Sequence, residues 1–101
     1  MAKQVKITVL KRDIYQEFID EYAKDKDFPV CPKVEDGQVY ILDSVGMPEN
    51  FCSWAWADIH RDVITIWNGG SYDWMKNKNT IITCCTDGLR PVTFKVELIS
   101  E

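Results

Sequence analysis

Two segments near the ends of the chain alternate apolar and polar residues, and this alternation restricts the fold more than any other feature. In residues 4–10 Val5, Ile7 and Val9 are the apolar residues of one face. In residues 92–98 they are Val92, Phe94, Val96 and Leu98. A period of two is typical of a strand with one buried face. Both segments are therefore predicted to be half-buried strands.

The chain between these segments contains two helical patterns and two shorter strands. Apolar residues recur at helical spacing in residues 14–24 and 50–67, and Gly69-Gly70 ends the second helix. Short strands are predicted at residues 38–42 and 80–85. The elements therefore follow one another in the order β-α-β-α-β-β.

The expected fold is a small α+β domain that spans residues 1–101. Two helices are expected to pack on one face of a mostly antiparallel four-stranded sheet. The turn at Asp87-Gly88 predicts that the last two strands form an antiparallel hairpin. The expected core consists of Val5, Ile7, Val9, Phe18, Ile41, Cys52, Trp56, Ile59, Val63, Ile82, Phe94, Val96 and Leu98.

Composition and charge argue against several classes of protein. The formal net charge is −4 and the pI is about 4.9, whereas a nucleic-acid binder needs a basic face. No segment approaches the roughly 18 to 20 consecutive apolar residues of a membrane span. The opening MAKQVKITVL also lacks the hydrophobic stretch of a signal peptide. We therefore expect a cytoplasmic protein with no nucleic-acid or membrane partner.

Four cysteines lie in three separate segments, at Cys31, Cys52 and the adjacent pair Cys84 and Cys85. Thiols stay reduced in the cytosol, so these residues are expected to be free, metal-bound or redox-active rather than cross-linked. Adjacent residues of a strand point to opposite faces of the sheet. Only one cysteine of the pair can therefore join the other two in one site, unless a bulge intervenes.

Three readings of these cysteines are open. Three thiolates, with His60 as a marginal fourth ligand, could hold zinc or an iron–sulfur cluster, although the sequence contains no CxxC motif. Alternatively, the cysteines pack as small buried hydrophobic residues. A third reading is a thiol enzyme, because Cys52 lies in the first turn of a predicted helix, a common place for nucleophilic thiols.

Two further groups of residues are candidates for binding. Trp54 shares a helical face with Asp58 and Arg61, which should be polar, and an aromatic residue there is a candidate contact for a ligand or another subunit. With Trp74 at its rim, this face predicts a homodimer or homotrimer. In a monomer, residues 71–79 would instead fold over Trp54.

Asp87 and Arg90 form the second group, in the turn before the last strand. Asp87 can accept hydrogen bonds from backbone amides of its own turn. Arg90 can hold the carboxylate of a ligand in a bidentate fork, or it can pair with a carboxylate of the chain. A turn whose charges are solvated or paired with each other is the simpler explanation of both residues.

The motifs CP, GQVYI, PENFCSWAWADI and CCTDGLRPVTFKVE occur in an order that resembles a family of short bacterial and archaeal proteins. The resemblance covers nearly the whole chain, and FCSWAWADI and TDGLRPV are its specific parts. It implies that cysteines similar to Cys31, Cys52 and one of Cys84 and Cys85 belong to the family pattern. The resemblance also implies that related members carry a CP-type sequence where this chain has Cys85-Thr86. The resemblance implies no activity, cofactor or catalytic residue.

Taken together, these features favour a small accessory protein whose thiols line a site for a metal or a small ligand. The alternative is an interaction module without catalytic activity, in which the cysteines only pack. The sequence leaves open whether the protein is an enzyme.

Overall fold

The order of helices and strands is the one that the sequence predicts. A computed structural model describes residues 3–100. Its elements are β1 (Gln4–Arg12), α1 (Gln16–Tyr22), β2 (Val39–Leu42), α2 (Ser53–Trp67), β3 (Thr80–Cys84) and β4 (Val92–Ser100). The four strands form one antiparallel sheet in the order β2-β1-β4-β3. The expected α+β fold and the hairpin of the last two strands are thereby confirmed.

The two long strands at the chain ends pair with each other in the centre of the sheet. Ile7 lies opposite Val96 and Val9 lies opposite Phe94, and all four side chains are buried. A bulge between Val9 and Lys11 then interrupts the register. Beyond this bulge β1 continues to Arg12, whose side chain holds the loop that follows α1.

Helix α2 covers one face of the sheet and contacts β1, β3 and β4. Its buried apolar residues recur at helical spacing and are Ala55, Ile59, Val63 and Ile66. The helix begins at Ser53 rather than at Asn50, because Asn50 has a φ of 62°, which is left-handed and not helical. It ends before Gly69, whose φ of 81° favours glycine.

Helix α1 is shorter than predicted and presents a different side chain to the interior. The amides of Asp13 and Tyr15 donate to the carbonyl oxygens of Pro91 and Leu89, so the chain is not yet helical at these residues. The helix that follows buries Ile19 completely, whereas Phe18, expected in the core, is 47% exposed. Within residues 3–100, neither helix has the length and apolar character needed to cross a membrane.

Two further residues expected in the core lie on the sheet face that no helix covers, which we call the open face. Ile41 is paired with Lys6 and Ile82 with Lys95, and both isoleucines are more than two-fifths exposed. The core predictions for Ile41 and Ile82 are therefore wrong, because strand alternation turns Tyr40, Leu42 and Ile81 inward instead. Other expected core residues that are only half-buried, and pack against the core, are Cys52, Trp56 and Leu98.

Candidate ligand-binding site

A pocket of about 280 Å³ lies at the N-terminal end of α2, and we call it the thiol pocket. Three parts of the chain that are distant in sequence form its walls: the loop after α1, the start of α2, and the segment from Cys85 to β4. The lining residues are Cys31, Lys33, Val34, Cys52, Trp54, Ala55, Cys85, Asp87, Arg90, Val92 and Phe94. The structure thus brings together three cysteines and both members of the Asp87–Arg90 group.

The adjacent cysteines separate as strand alternation requires. Cys85 is buried and lines the pocket, whereas Cys84 lies opposite Thr93 and is exposed. The Cys85 amide donates to the Val92 carbonyl oxygen at 3.0 Å, and the Val92 amide donates to Cys85 Sγ at 3.3 Å. This reciprocal pair continues the hairpin one residue beyond β3 and fixes the position of the thiol.

The other two thiols are positioned by the start of α2 and by Arg12. Arg12 Nη1 donates to the carbonyl oxygens of Cys31 and Val34, each at 3.1 Å, and so holds the loop against β1. Cys52 is the N-cap residue of α2, but its side chain makes no capping hydrogen bond. The preceding residue, Phe51, is buried against Phe94 with a ring distance of 5.6 Å, which anchors Cys52 beside the pocket.

The Asp87 carboxylate organises one edge of the pocket. Its Oδ1 accepts hydrogen bonds from the amides of Leu89 and Arg90, and its Oδ2 lies 3.3 Å from Arg90 Nε. Partial burial acts to raise the pKa of Asp87, but the two amides and the guanidinium outweigh burial, and the pKa lies below its ordinary value. Asp87 is therefore the charged acceptor that fixes both the turn and Arg90.

The Arg90 guanidinium keeps part of its hydrogen-bonding capacity. One face of the group lies over the Phe28 ring, 4.5 Å from its centroid, and Nε is used by Asp87. Within residues 3–100 its two terminal nitrogens donate to no side chain or carbonyl group. Lys33 is exposed on another wall, and the N-terminus of α2 adds a partial positive charge. The pocket is thus apolar inside and positive at its margin.

Two other candidate residues lie outside this pocket. His60 Nε2 is 3.0 Å from the Val45 carbonyl oxygen, and its ring stacks on Trp56 at 4.8 Å. Asp58 accepts hydrogen bonds from the amide and hydroxyl of Thr86. In the part of the chain that the structure describes, no three His, Cys, Asp or Glu side chains are grouped to hold a metal ion. The zinc or iron–sulfur site stays a prediction.

A second pocket of about 290 Å³ lies beside the C-terminal half of α2, and we call it the aspartate pocket. Its lining residues are Arg61, Asp62, Tyr72, Trp74, Ile81, Ile82 and Thr83. Two of the residues proposed as interface contacts, Arg61 and Trp74, are therefore here, while Trp54 lines the thiol pocket. Trp54 is 67% exposed, so the loop of residues 71–79 does not cover it.

Sequence reasoning missed several residues of both pockets. Asp62 and Tyr72 carry the polar contact of the aspartate pocket, and Phe28 and Val34 help to shape the thiol pocket. One signal was available for Asp62, because it lies three residues after Ile59 and four before Ile66, at the helical spacing of a buried face. The contributions of Phe28 and Val34 depend on the course of an irregular loop, which has no periodic pattern.

Comparisons with known proteins do not extend this picture. No family model, no curated protein and no solved structure matches the chain. The resemblance to short bacterial and archaeal proteins is therefore untested and stays a prediction.

Proposed function

We propose that the protein binds a small apolar molecule that carries one anionic group, and that the thiol pocket is the binding site. One observation carries the proposal: three remote segments enclose an apolar volume of about 280 Å³ beside a guanidinium with uncommitted nitrogens. Ligand sites are typically concave and mostly apolar, with a few polar groups that fix orientation.

The walls and the margin of the pocket support different parts of this ligand. Val34, Ala55 and Phe94 are nearly fully buried and offer an apolar surface, to which the thiols add polarizable atoms. Arg90 can donate to a carboxylate, sulfonate or phosphate without losing its contact with Asp87, because that contact uses only Nε. The positive end of α2 favours the same charge. An apolar anion therefore suits both the interior and the margin.

The test uses two fluorescent dyes with the same ring system, anilinonaphthalene sulfonate and the uncharged phenylnaphthylamine. Both are expected to bind the native protein, the sulfonate more tightly. The variant Arg90→Gln removes the guanidinium and should weaken sulfonate binding about tenfold, which corresponds to about 1.4 kcal/mol. Binding of the uncharged dye should not change. Lys78→Gln, which removes a positive charge away from the pocket, is the matched control. Equal sulfonate affinity in both variants would contradict the proposal.

Metal analysis of protein purified without oxygen separates this function from the metal site predicted from the sequence. The ligand proposal expects zinc and iron well below one equivalent. Stoichiometric metal that disappears in Cys52→Ser would instead support a cysteine metal site. A single fast-reacting Cys52 thiol would favour the thiol enzyme. Four free cysteines suit a reducing compartment, and a cytoplasmic location is part of this proposal.

A second candidate function is self-association as a homodimer or homotrimer. The observation that favours it is the exposure of two tryptophans, 67% at Trp54 and 74% at Trp74. Exposed aromatic residues are frequent anchors of subunit contacts. Light scattering across a concentration series tests the idea. A mass that stays near 11.7 kDa would contradict it, and a larger mass that is unaffected by Trp54→Ala would place the interface elsewhere.

A further inference from the structure

The aspartate pocket contains a buried acceptor that no described residue satisfies. Asp62 is 3% exposed, and the Tyr72 hydroxyl donates to its Oδ1 at 3.0 Å. Its Oδ2 is buried and accepts no hydrogen bond within residues 3–100. A buried carboxylate oxygen without a donor is costly, and such atoms are rare in folded proteins. The pocket is thus built around an acceptor that lacks its donor.

The nearest cation does not supply this donor. Arg61 Nη2 is 3.8 Å from Asp62 Oδ2, which is within reach for charge attraction but too far for a hydrogen bond. The Arg61 side chain is 82% exposed, so its attraction to Asp62 is screened by water on one side. Contacts of such exposed side chains are weak, so displacing Arg61 should cost a ligand no more than a severalfold loss of affinity.

The walls beside Asp62 suit an organic cation. The rings of Tyr72 and Trp74 are 5.1 Å apart at an angle of 54°, and Trp74 is 74% exposed. Aromatic faces attract ammonium and guanidinium groups. Ile81 of the edge strand faces the same side of the sheet as α2 and adds an apolar surface to the pocket. A volume of about 290 Å³ is close to the lower limit of small-molecule pockets.

The loop that carries the two rings is tied to its surroundings. Asn79 Nδ2 donates to the carbonyl oxygens of Gly69 and Gly70, and the backbone N–H of Asn79 donates to Ser71 Oγ. Gly70 also lies close to α2, since a Cβ atom there would be 2.7 Å from Thr65 Cγ2. The aromatic wall is therefore held in place before a ligand arrives, which lowers the entropic cost of binding.

We propose that the aspartate pocket binds a small organic ammonium ion, whose N–H group donates to Asp62 Oδ2 and whose apolar body lies against Trp74 and Ile81. An ammonium group has three donors and no acceptor, which matches the free carboxylate oxygen. The ligand takes the place of the Arg61 guanidinium beside Asp62. This site is separate from the thiol pocket and has the opposite preference for charge.

The first test compares benzylammonium with benzyl alcohol, its uncharged analogue, by NMR titration of the full chain. Benzylammonium should bind at least tenfold more tightly than benzyl alcohol, and Asp62→Asn should remove at least tenfold of that affinity. Asp73→Asn is the matched control, because Asp73 is an exposed aspartate next to the pocket and carries the same charge. Equal affinity for the two compounds, or equal affinity in Asp62→Asn and Asp73→Asn, would overturn the proposal.

The second test keeps the proposal falsifiable if Asp62→Asn fails to fold. Arg61→Gln removes the internal competitor and leaves Asp62 and Tyr72 intact, so benzylammonium affinity should rise severalfold. If Asp62 only holds Tyr72 in place, Arg61→Gln leaves the affinity unchanged, and that result, like a weaker affinity, would refute the site. Neither test involves the thiol pocket, so the outcomes of both tests are independent of the dye experiments.

Discussion

The thiol pocket and the aspartate pocket lie along the same helix but keep their charges in different places. In the thiol pocket the charged side chains stand at the margin, where Arg90 pairs with Asp87 through Nε, and the interior is apolar. In the aspartate pocket a carboxylate is buried in the wall and one of its oxygens has no donor. The first arrangement suits an apolar anion, and the second suits a cation that can donate a hydrogen bond.

The difference follows from how α2 lies on the sheet. At the N-terminal end of α2, the loop after α1 and the segment before β4 form the other walls of the thiol pocket. The core residue Phe94 also lines this pocket. Further along the helix, the aspartate pocket is bordered by the edge strand β3 and the loop with Tyr72 and Trp74. A pocket at the core is expected to be costly to alter, and a pocket at a sheet edge is expected to tolerate change.

The largest expected effect tests this difference in stability. Phe94 is 1% exposed and Ile82 is 42% exposed. Phe94→Ala should lower the free energy of unfolding by about 3–5 kcal/mol, because it leaves a cavity in the core. Ile82→Ala, at the rim of the aspartate pocket where the strand turns to the open face, should cost less than about 1 kcal/mol. Urea denaturation monitored by circular dichroism measures both. Similar losses would show that the two pockets do not differ in this way.

Alkylation with iodoacetamide, followed by peptide mass spectrometry, sharpens the comparison at the thiols. Cys84 is exposed and Cys85 is buried, so Cys84 should react at least tenfold faster than Cys85 by accessibility alone. Bound anilinonaphthalene sulfonate should slow the reaction of Cys31 and Cys52 and leave Cys84 unchanged, which makes Cys84 an internal control. Benzylammonium should protect none of them. Protection of Cys84 by the dye would place the dye on the open face.

A smaller effect is expected from Asp87. Because its pKa in the folded protein lies below the ordinary value of 3.8, its stabilising contribution is complete above that value. The contribution is lost as the pH falls through the lowered pKa. Asp87→Asn should therefore cost about 1 kcal/mol at neutral pH, with the cost vanishing in strong acid. Denaturation curves of both proteins at several pH values test this, and a cost that grows in acid would reverse the assigned sign.

The fold was predictable because it depends on periodic patterns. The alternation in β1 and β4 identified Val5, Ile7, Val9, Phe94 and Val96 as core residues, and all five are buried. Prediction failed where neighbouring apolar residues compete for one inward position. In β3 Ile81 faces the core instead of Ile82, and in α1 Ile19 does so instead of Phe18. Which residue faces inward depends on pairing with distant segments.

The thiol pocket was predictable in its three cysteines but not in its chemistry. Cys31, Cys52 and one cysteine of the adjacent pair were expected to share a site, and all three line the pocket. Their mutual grouping, which decides between a metal and a ligand, depends on irregular loops. The aspartate pocket was not predicted, because Tyr72 and Trp74 reach it from a loop that carries no regular pattern.

The most direct test of the central claim is an NMR titration of the labelled protein with anilinonaphthalene sulfonate. The protein also exposes apolar side chains on the open face, including Ile41 and Ile82, so dye fluorescence alone does not locate the binding site. If the thiol pocket is the site, the methyl signals of Val34, Ala55 and Val92 shift and show contacts with the dye rings. If the signals of Ile41 and Ile82 shift while those of the pocket stay in place, the claim is contradicted.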